Sequence, residues 1–162
     1  MNVTYRKATR EDLDALWDAS IRDNPNDGRY VRWKRQFIED NESGRAATFA
    51  IVIDGIPVGE GTLLFSPACR AVRGRTVLAD GQRVTNVNAL RIAKPYEGQG
   101  HIHALLTCME SYARSHGFSH ITIGVEEGEA RTRAIYAHLG FTEPILRERE
   151  DGTLVLYYQK PL

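Results

Sequence analysis

The residues best placed to do chemistry in this chain run Leu90-Arg91-Ile92-Ala93-Lys94-Pro95-Tyr96-Glu97-Gly98-Gln99-Gly100, where an apolar strand passes through a glycine turn into an amphipathic helix. Past Gly100, apolar residues recur at Ile102, Leu105, Leu106, Met109, Tyr112 and Ala113, the stripe of a helix with one buried face. A helix that opens at the glycines leaves its first N–H groups without intrahelical partners, and its dipole puts roughly half a positive charge there. Gly98 and Gly100 let backbone approach a ligand with no Cβ in the way. The chemistry this serves is the holding of an anion, phosphate above all. A strand-to-helix turn that uses glycine for geometry alone is written with the same letters, so the motif needs support from elsewhere in the chain.

Two carboxylates stand out. Glu60 lies mid-strand between two glycines in Val58-Gly59-Glu60-Gly61-Thr62, an unusual place for a charge, and Glu126 ends the strand Ile121 to Glu126. Each reads either as a working carboxylate or as a solvated or salt-bridged one. His101 and His103 stand two apart and cannot share a helix face, and His116 and His120 flank Gly117, so no metal site is expected. His101 reads as a solvated side chain or as a phosphate contact. Arg70, Arg73, Arg75 and Arg83 could receive an anionic group, with a charge-balanced surface as the plainer reading.

Downstream of the glycine turn, the strand at Ile121 is followed by a short helix, Ala130 to Leu139, stopped by Gly140. With the strand into Pro95-Tyr96-Glu97-Gly98-Gln99-Gly100, the helix reading Ala104-Leu105-Leu106, and Ile135-Tyr136 with Leu139-Gly140-Phe141, the chain resembles the GNAT family of acyl-CoA-dependent N-acetyltransferases. The resemblance is strongest over residues 84 to 142. It departs at Glu97, where Arg or Gln is usual, at Ile102, where a small residue is usual, and at Glu129, where Asn is common. A carboxylate about 6 Å from a phosphate oxygen is repelled by roughly 3 kcal/mol at an effective dielectric near 20, so either Glu97 points away from the ligand or the ligand binds less tightly. Glu129 is expected to cap the last helix.

The resemblance implies acetyl-CoA as co-substrate, held by Leu90, Arg91 and Ile92 along the strand, by Glu97, Gly98, Gln99, Gly100, His101, Ile102 and His103 at the turn, and by Glu129 and Tyr136. It implies transfer of the acetyl group directly to a primary amine of a small molecule or peptide. An amine with pKa near 10 is protonated at neutral pH and needs a base, for which Glu60 is the first candidate and Glu126 the second. Tyr136 matches the family tyrosine that supplies a proton or hydrogen bond to the departing thiolate. The alternative is a non-catalytic acyl-CoA-binding or regulatory module with a degenerate phosphate loop, which Glu97 and Ile102 would suit.

The surrounding elements read as one α/β (α+β) domain over residues 1 to 162, a central mixed, mostly antiparallel twisted sheet flanked by helices. Strands are expected at Val3 to Arg6, Thr48 to Ile53, Val58 to Phe65, Arg75 to Ala79, Arg83 to Ile92, Ile121 to Glu126 and Leu154 to Tyr158. Asp54-Gly55 and Asp80-Gly81 serve as hairpin turns, and Asp151-Gly152 as the turn before the last strand. Thr9 with Asp12 reads as a capping pair opening a helix whose face carries Leu13, Leu16 and Trp17, and a second helix covers Tyr30 to Asp40. In the resembled family these two helices border the acceptor pocket, although aromatics such as Trp17, Tyr30 and Trp33 at helical spacing are usually core. At 162 residues there is enough chain for one substantial core. Lys plus Arg and Asp plus Glu are 21 each, which argues against nucleic acid or an anionic membrane as partner. Cys69 and Cys108 lack metal or redox spacing, Met1 to Lys7 is no signal peptide, and no apolar run spans a bilayer. A cytoplasmic protein is expected, with a homodimer among its allowed states.

Overall fold

The computed structural model describes all residues from Met1 to Leu162. The elements in order are β1 (Val3–Lys7), α1 (Arg10–Asp23), α2 (Arg29–Ser43), β2 (Ala46–Ile53), β3 (Ile56–Leu64), β4 (Val84–Ile92), a 3₁₀ turn at Lys94–Tyr96, α3 (His101–Ser115), β5 (His120–Glu126), α4 (Ala130–His138), β6 (Glu143–Glu150) and β7 (Thr153–Pro161). The strands form one seven-stranded mixed sheet in the order β1-β2-β3-β4-β5-β7-β6. The fold is thus α/β, with four α-helices. The chain divides into two compact units, Met1–Leu63 with Ala89–Met109, and Leu64–Asn88 with Glu110–Leu162.

In the first unit β2 is the centre. Its sequence AATFAIVI is buried at every position, and β1 pairs with it antiparallel from Val3↔Ile53 to Lys7↔Phe49. An apolar run, broken only by Thr48, is what a strand covered on both faces requires. Asp54 (φ 50°) and Gly55 (φ 81°) make the two-residue turn into β3, the left-handed pair that matches strand twist. The expected capping box is formed: the Thr9 hydroxyl accepts from Asp12 N–H at 3.1 Å, and the Asp12 carboxylate accepts from Thr9 N–H at 3.0 Å. Leu13, Leu16 and Trp17 are then buried, with the Trp17 and Phe37 rings 5.0 Å apart. Leu105, Leu106 and Met109 of α3 are buried as the helical stripe requires.

The second unit is built on β5, whose first half pairs parallel with β4 (Val84↔His120 to Val87↔Ile123) and whose whole length pairs antiparallel with β7. Strand β6, absent from the sequence expectation, is the sheet edge. Its residues EPILRERE carry little hydrophobic signal, and charge on an edge strand discourages pairing with another chain. It joins β7 through Asp151 (φ 53°) and Gly152 (φ 82°).

The strand expected at Arg75 to Ala79 is not there; residues 65 to 83 form turns. Asp80 is the local cause. Its carboxylate accepts from the N–H groups of Gln82, Arg83 and Val84 at 2.8–2.9 Å, which makes a side-chain-capped turn at the start of β4 where a hairpin was expected. Arg75 is the tertiary cause. It is 12% exposed, donates to Glu148 at 3.1 Å and to the Tyr157 hydroxyl at 3.2 Å, and tethers the turn segment to the β6–β7 hairpin. Arg73 lies 3.7 Å from Glu150. So Arg73 and Arg75 have carboxylate partners within the fold, and these two do not form a free anion-binding surface.

Candidate active site

The glycine turn lies in the first unit. Gly98 has φ 75° and Gly100 φ 84°, conformations that favour glycine, and a Cβ on either would meet nothing within 4 Å. The N–H groups of Gly98, Gln99, Gly100, His101, Ile102 and His103 donate to no backbone carbonyl, and the first helical bond is Ala104 N–H to Gly100 O at 3.1 Å. Six consecutive unpaired donors at the positive end of a 15-residue helix fit a pyrophosphate chemically, since each can give one hydrogen bond to an oxyanion. Glu97 is exposed, and its own N–H is taken by Lys94 O at 3.1 Å.

His101 opens α3. It is buried, not solvated, and both ring nitrogens already have protein partners: Nδ1 lies 2.8 Å from the Tyr5 hydroxyl and Nε2 lies 3.3 Å from Gln99 Oε1. Gln99 in turn donates to Pro95 O at 3.4 Å. The side chains of His101 and Gln99 therefore brace the turn, while its backbone N–H groups remain open.

Strand β4 leads into this turn and carries a conformation that no sequence pattern announced. Ala89 has φ 53°, the left-handed region, which costs an L-residue about 1–2 kcal/mol. Leu90, Arg91 and Ile92 follow it, all partly buried.

Glu60 is fully buried and its Oε2 accepts from Arg91 Nη2 at 3.1 Å. The flanking glycines now have a reason. A Cβ at Gly59 would come within 2.9 Å of Arg91 O and 2.7 Å of Ile51 Cδ1, and one at Gly61 within 2.8 Å of Met109 Sδ. These glycines let β3 lie against β4 and α3 on one face while Glu60 projects from the other. There the Arg91 guanidinium carbon stands 4.3 Å over the Trp17 ring. Burial pushes the Glu60 carboxyl above its ordinary value, and Arg91 pulls it part of the way back. Glu60 Oε1 and Trp17 Nε1 are buried without a partner. Nothing in the sequence pattern linked Trp17 and Arg91 to Glu60.

Tyr136 and Glu129 belong to the second unit. Tyr136 is partly buried on α4, edge-on to Phe141 at 6.3 Å between ring centroids, and its carbonyl accepts from Phe141 N–H at 3.0 Å across the Gly140 turn. Burial, and then the Glu129 carboxylate, raise the Tyr136 phenol above its ordinary value, so it is protonated at neutral pH. Glu129 occupies the N-cap position of α4 as expected, but its side chain makes no capping hydrogen bond. Glu126 is exposed at the end of β5. No group of three or more His, Cys, Asp or Glu residues is arranged to hold a metal, and no helix is long and apolar enough to cross a membrane.

Solved structures with this architecture include a GNAT-family protein from Desulfovibrio desulfuricans (TM-score 0.77, 13% identity, 99% of each chain covered). They also include the ribosomal-protein-alanine N-acetyltransferase of Brucella melitensis (TM-score 0.71, 20% identity, 98% of this chain and 99% of that one). A third is a GNAT acetyltransferase from Elizabethkingia anophelis with acetyl-CoA bound (TM-score 0.65, 14% identity, 99% of each). At these identities the likeness is one of fold. Among curated protein sequences none matches this chain. The sequence profile described as the Acetyltransferase (GNAT) family matches residues 10–141, which takes in α1, the glycine turn, α3, β5 and α4. A profile spanning most of the chain, on a sheet and helices arranged as in solved acetyltransferases, leads to one conclusion: the chain belongs to the GNAT family of acetyltransferases.

Proposed function

We propose that the chain works as a single acetyltransferase domain over residues 1–162 that moves an acetyl group from acetyl-CoA to a primary amine of a small molecule or peptide. The observation that carries this is the row of unpaired N–H groups from Gly98 to His103, suited to the pyrophosphate of acetyl-CoA. Leu90 to Ile92 would hold the pantetheine arm, and the family resemblance assigns Glu129 and Tyr136 to the same co-substrate. Bound acetyl-CoA supplies an activated thioester. Glu60 accepts the proton that the acceptor ammonium must lose, a role suited to a carboxyl whose affinity for protons burial has raised. The free amine forms the C–N bond as the C–S bond breaks, Tyr136 gives a proton or hydrogen bond to the departing thiolate, and the proton the acylated nitrogen sheds balances, through solvent, the one the thiolate receives.

Supporting this reading, the Elizabethkingia enzyme of the same fold has acetyl-CoA bound, and the Brucella enzyme is named for acetylating an alanine of ribosomal protein. The test is release of free thiol from acetyl-CoA across a panel of amines, with a melting curve beside it. Acetyl-CoA at 100 times its dissociation constant stabilises the fold by roughly 2.7 kcal/mol. A melting temperature indifferent to millimolar acetyl-CoA would sink the proposal. A rise in melting temperature with no thiol release from any amine would leave the binding-module reading.

A further inference from the structure

The cluster of Trp17, Glu60 and Arg91 lies within the first unit and has more binding capacity than the fold uses. Arg91 donates through Nη2 to Glu60, and its Nε and Nη1 donate to nothing in the chain. Its side chain is 31% exposed, whereas Glu60 beneath it is 0% exposed. The guanidinium plane is held from two directions, by the carboxylate at 3.1 Å and by the indole face at 4.3 Å. An arginine fixed in this way presents its remaining N–H edge in a defined direction, the geometry that recognises a carboxylate. Its face of β4 is opposite to that of Leu90 and Ile92, whose side chains lie against the Gly61 and Gly59 positions.

Two further polar atoms of the cluster await partners. Glu60 Oε1 is an acceptor without a donor, and Trp17 Nε1 is a donor without an acceptor; both are buried. A group satisfying the first must donate, and one satisfying the second or the Arg91 edge must accept. The Glu60–Arg91 pair is neutral overall, and its positive member is the exposed one. A simple ammonium approaching it meets Arg91 first and is repelled. A molecule that carries a carboxylate beside its ammonium presents the complementary pair.

We propose that Arg91, positioned by Glu60 and Trp17, receives the carboxylate of a zwitterionic acceptor, so that the amine acetylated is that of an α-amino acid or a molecule with the same ammonium–carboxylate arrangement. This rests on the acetyl-transfer reading for its consequence, but not for its binding. With the carboxylate on the N–H edge of Arg91 that Glu60 leaves free, the neighbouring ammonium is held beside the Glu60–Arg91 pair. Trp17 and Glu60 position Arg91; Arg91 selects the acceptor.

The test is thermal shift at saturating CoA with each common α-amino acid and with the decarboxylated amine bearing the same side chain, using the parent and Arg91→Lys, which keeps a cation for Glu60 but lacks the planar edge. At least one amino acid should raise the melting temperature of the parent while its decarboxylated amine does not. Arg91→Lys should weaken the amino acid by about tenfold or more, a larger loss than any in calorimetric affinity for acetyl-CoA. Three results overturn the inference: no amino acid shifting the parent, an amine binding as well as its amino acid, or Arg91→Lys weakening acetyl-CoA in place of the amino acid. Amino-acid binding without acetyl transfer would strike the proposed function and support the acceptor site.

Discussion

Arg91 is the sole hydrogen-bond partner of the Glu60 carboxylate, 3.1 Å away, in a site where Glu60 itself has no contact with solvent. Removing Arg91 strands a buried charge. Arg91→Ala should therefore destabilise the fold by about 2–3 kcal/mol at neutral pH, below the range for a fully buried pair because Arg91 is partly exposed. The sign with pH follows from the raised Glu60 carboxyl, which is raised further without Arg91. A carboxyl whose folded value exceeds its unfolded value favours the fold when protonated and costs stability as pH rises. The deficit should be smaller at pH 5 than at pH 8, and urea melts of both proteins at the two pH values would measure it; a deficit independent of pH would show that Glu60 is not the charge left behind.

Glu60→Gln keeps the shape and can still accept from Arg91, but cannot take up the amine's proton. Turnover should fall at neutral pH, and the loss should shrink as pH rises and the acceptor deprotonates unaided. A pH–rate profile parallel to the parent's would leave Glu60 with only its hold on Arg91.

Gly100 has φ 84° with open space around its Cβ position, so a side chain there strains the backbone before it meets any neighbour. Gly100→Val should cost roughly 1–2 kcal/mol of stability, a few degrees of melting temperature in a chain of this size, and more in acetyl-CoA affinity. Calorimetry with acetyl-CoA decides it: parent-like binding would remove the turn from the site.

Tyr136→Phe deletes one oxygen and keeps the ring against Phe141. If the phenol serves the leaving thiolate, turnover falls by roughly 10² to 10⁴-fold, or somewhat less for a hydrogen bond alone, while acetyl-CoA affinity holds. Equal turnover with an unchanged melting curve takes Tyr136 out of the mechanism.

Tyr157 is buried, donates a short hydrogen bond to Glu150 and accepts from Arg75 at 3.2 Å. Burial first, and then the Glu150 carboxylate, push its phenol up to about 12. Its contribution is complete below the unfolded value near 10 and is lost as pH rises from there through about 12, on the order of 2 kcal/mol. Denaturation curves between pH 9 and 12 should show a steeper alkaline decline in the parent than in Tyr157→Phe, which has no proton to lose at that site.

What the sequence determined by itself is what a few neighbouring residues can encode. The Thr9–Asp12 capping box, the Asp54-Gly55 and Asp151-Gly152 turns, the buried stripe of α3 and the glycine entry to it are all local, and all are present in the structure. The family was legible for the same reason, since its motifs lie in one strand–turn–helix and one short helix. Tertiary structure alone decided the rest. His101 turns inward because Tyr5, 96 positions away, offers a hydroxyl, and β6 exists because β7 supplies the hydrogen bonds its charged sequence does not advertise. Arg75 leaves the expected strand for partners on β6 and β7. Glu60 is a buried ion-pair partner because Arg91, stacked on Trp17, meets it on the face of β3 opposite its flanking glycines. Each of these depends on groups distant in the chain whose pairing free energy appears only once the core has brought them together, so no window of sequence contains it.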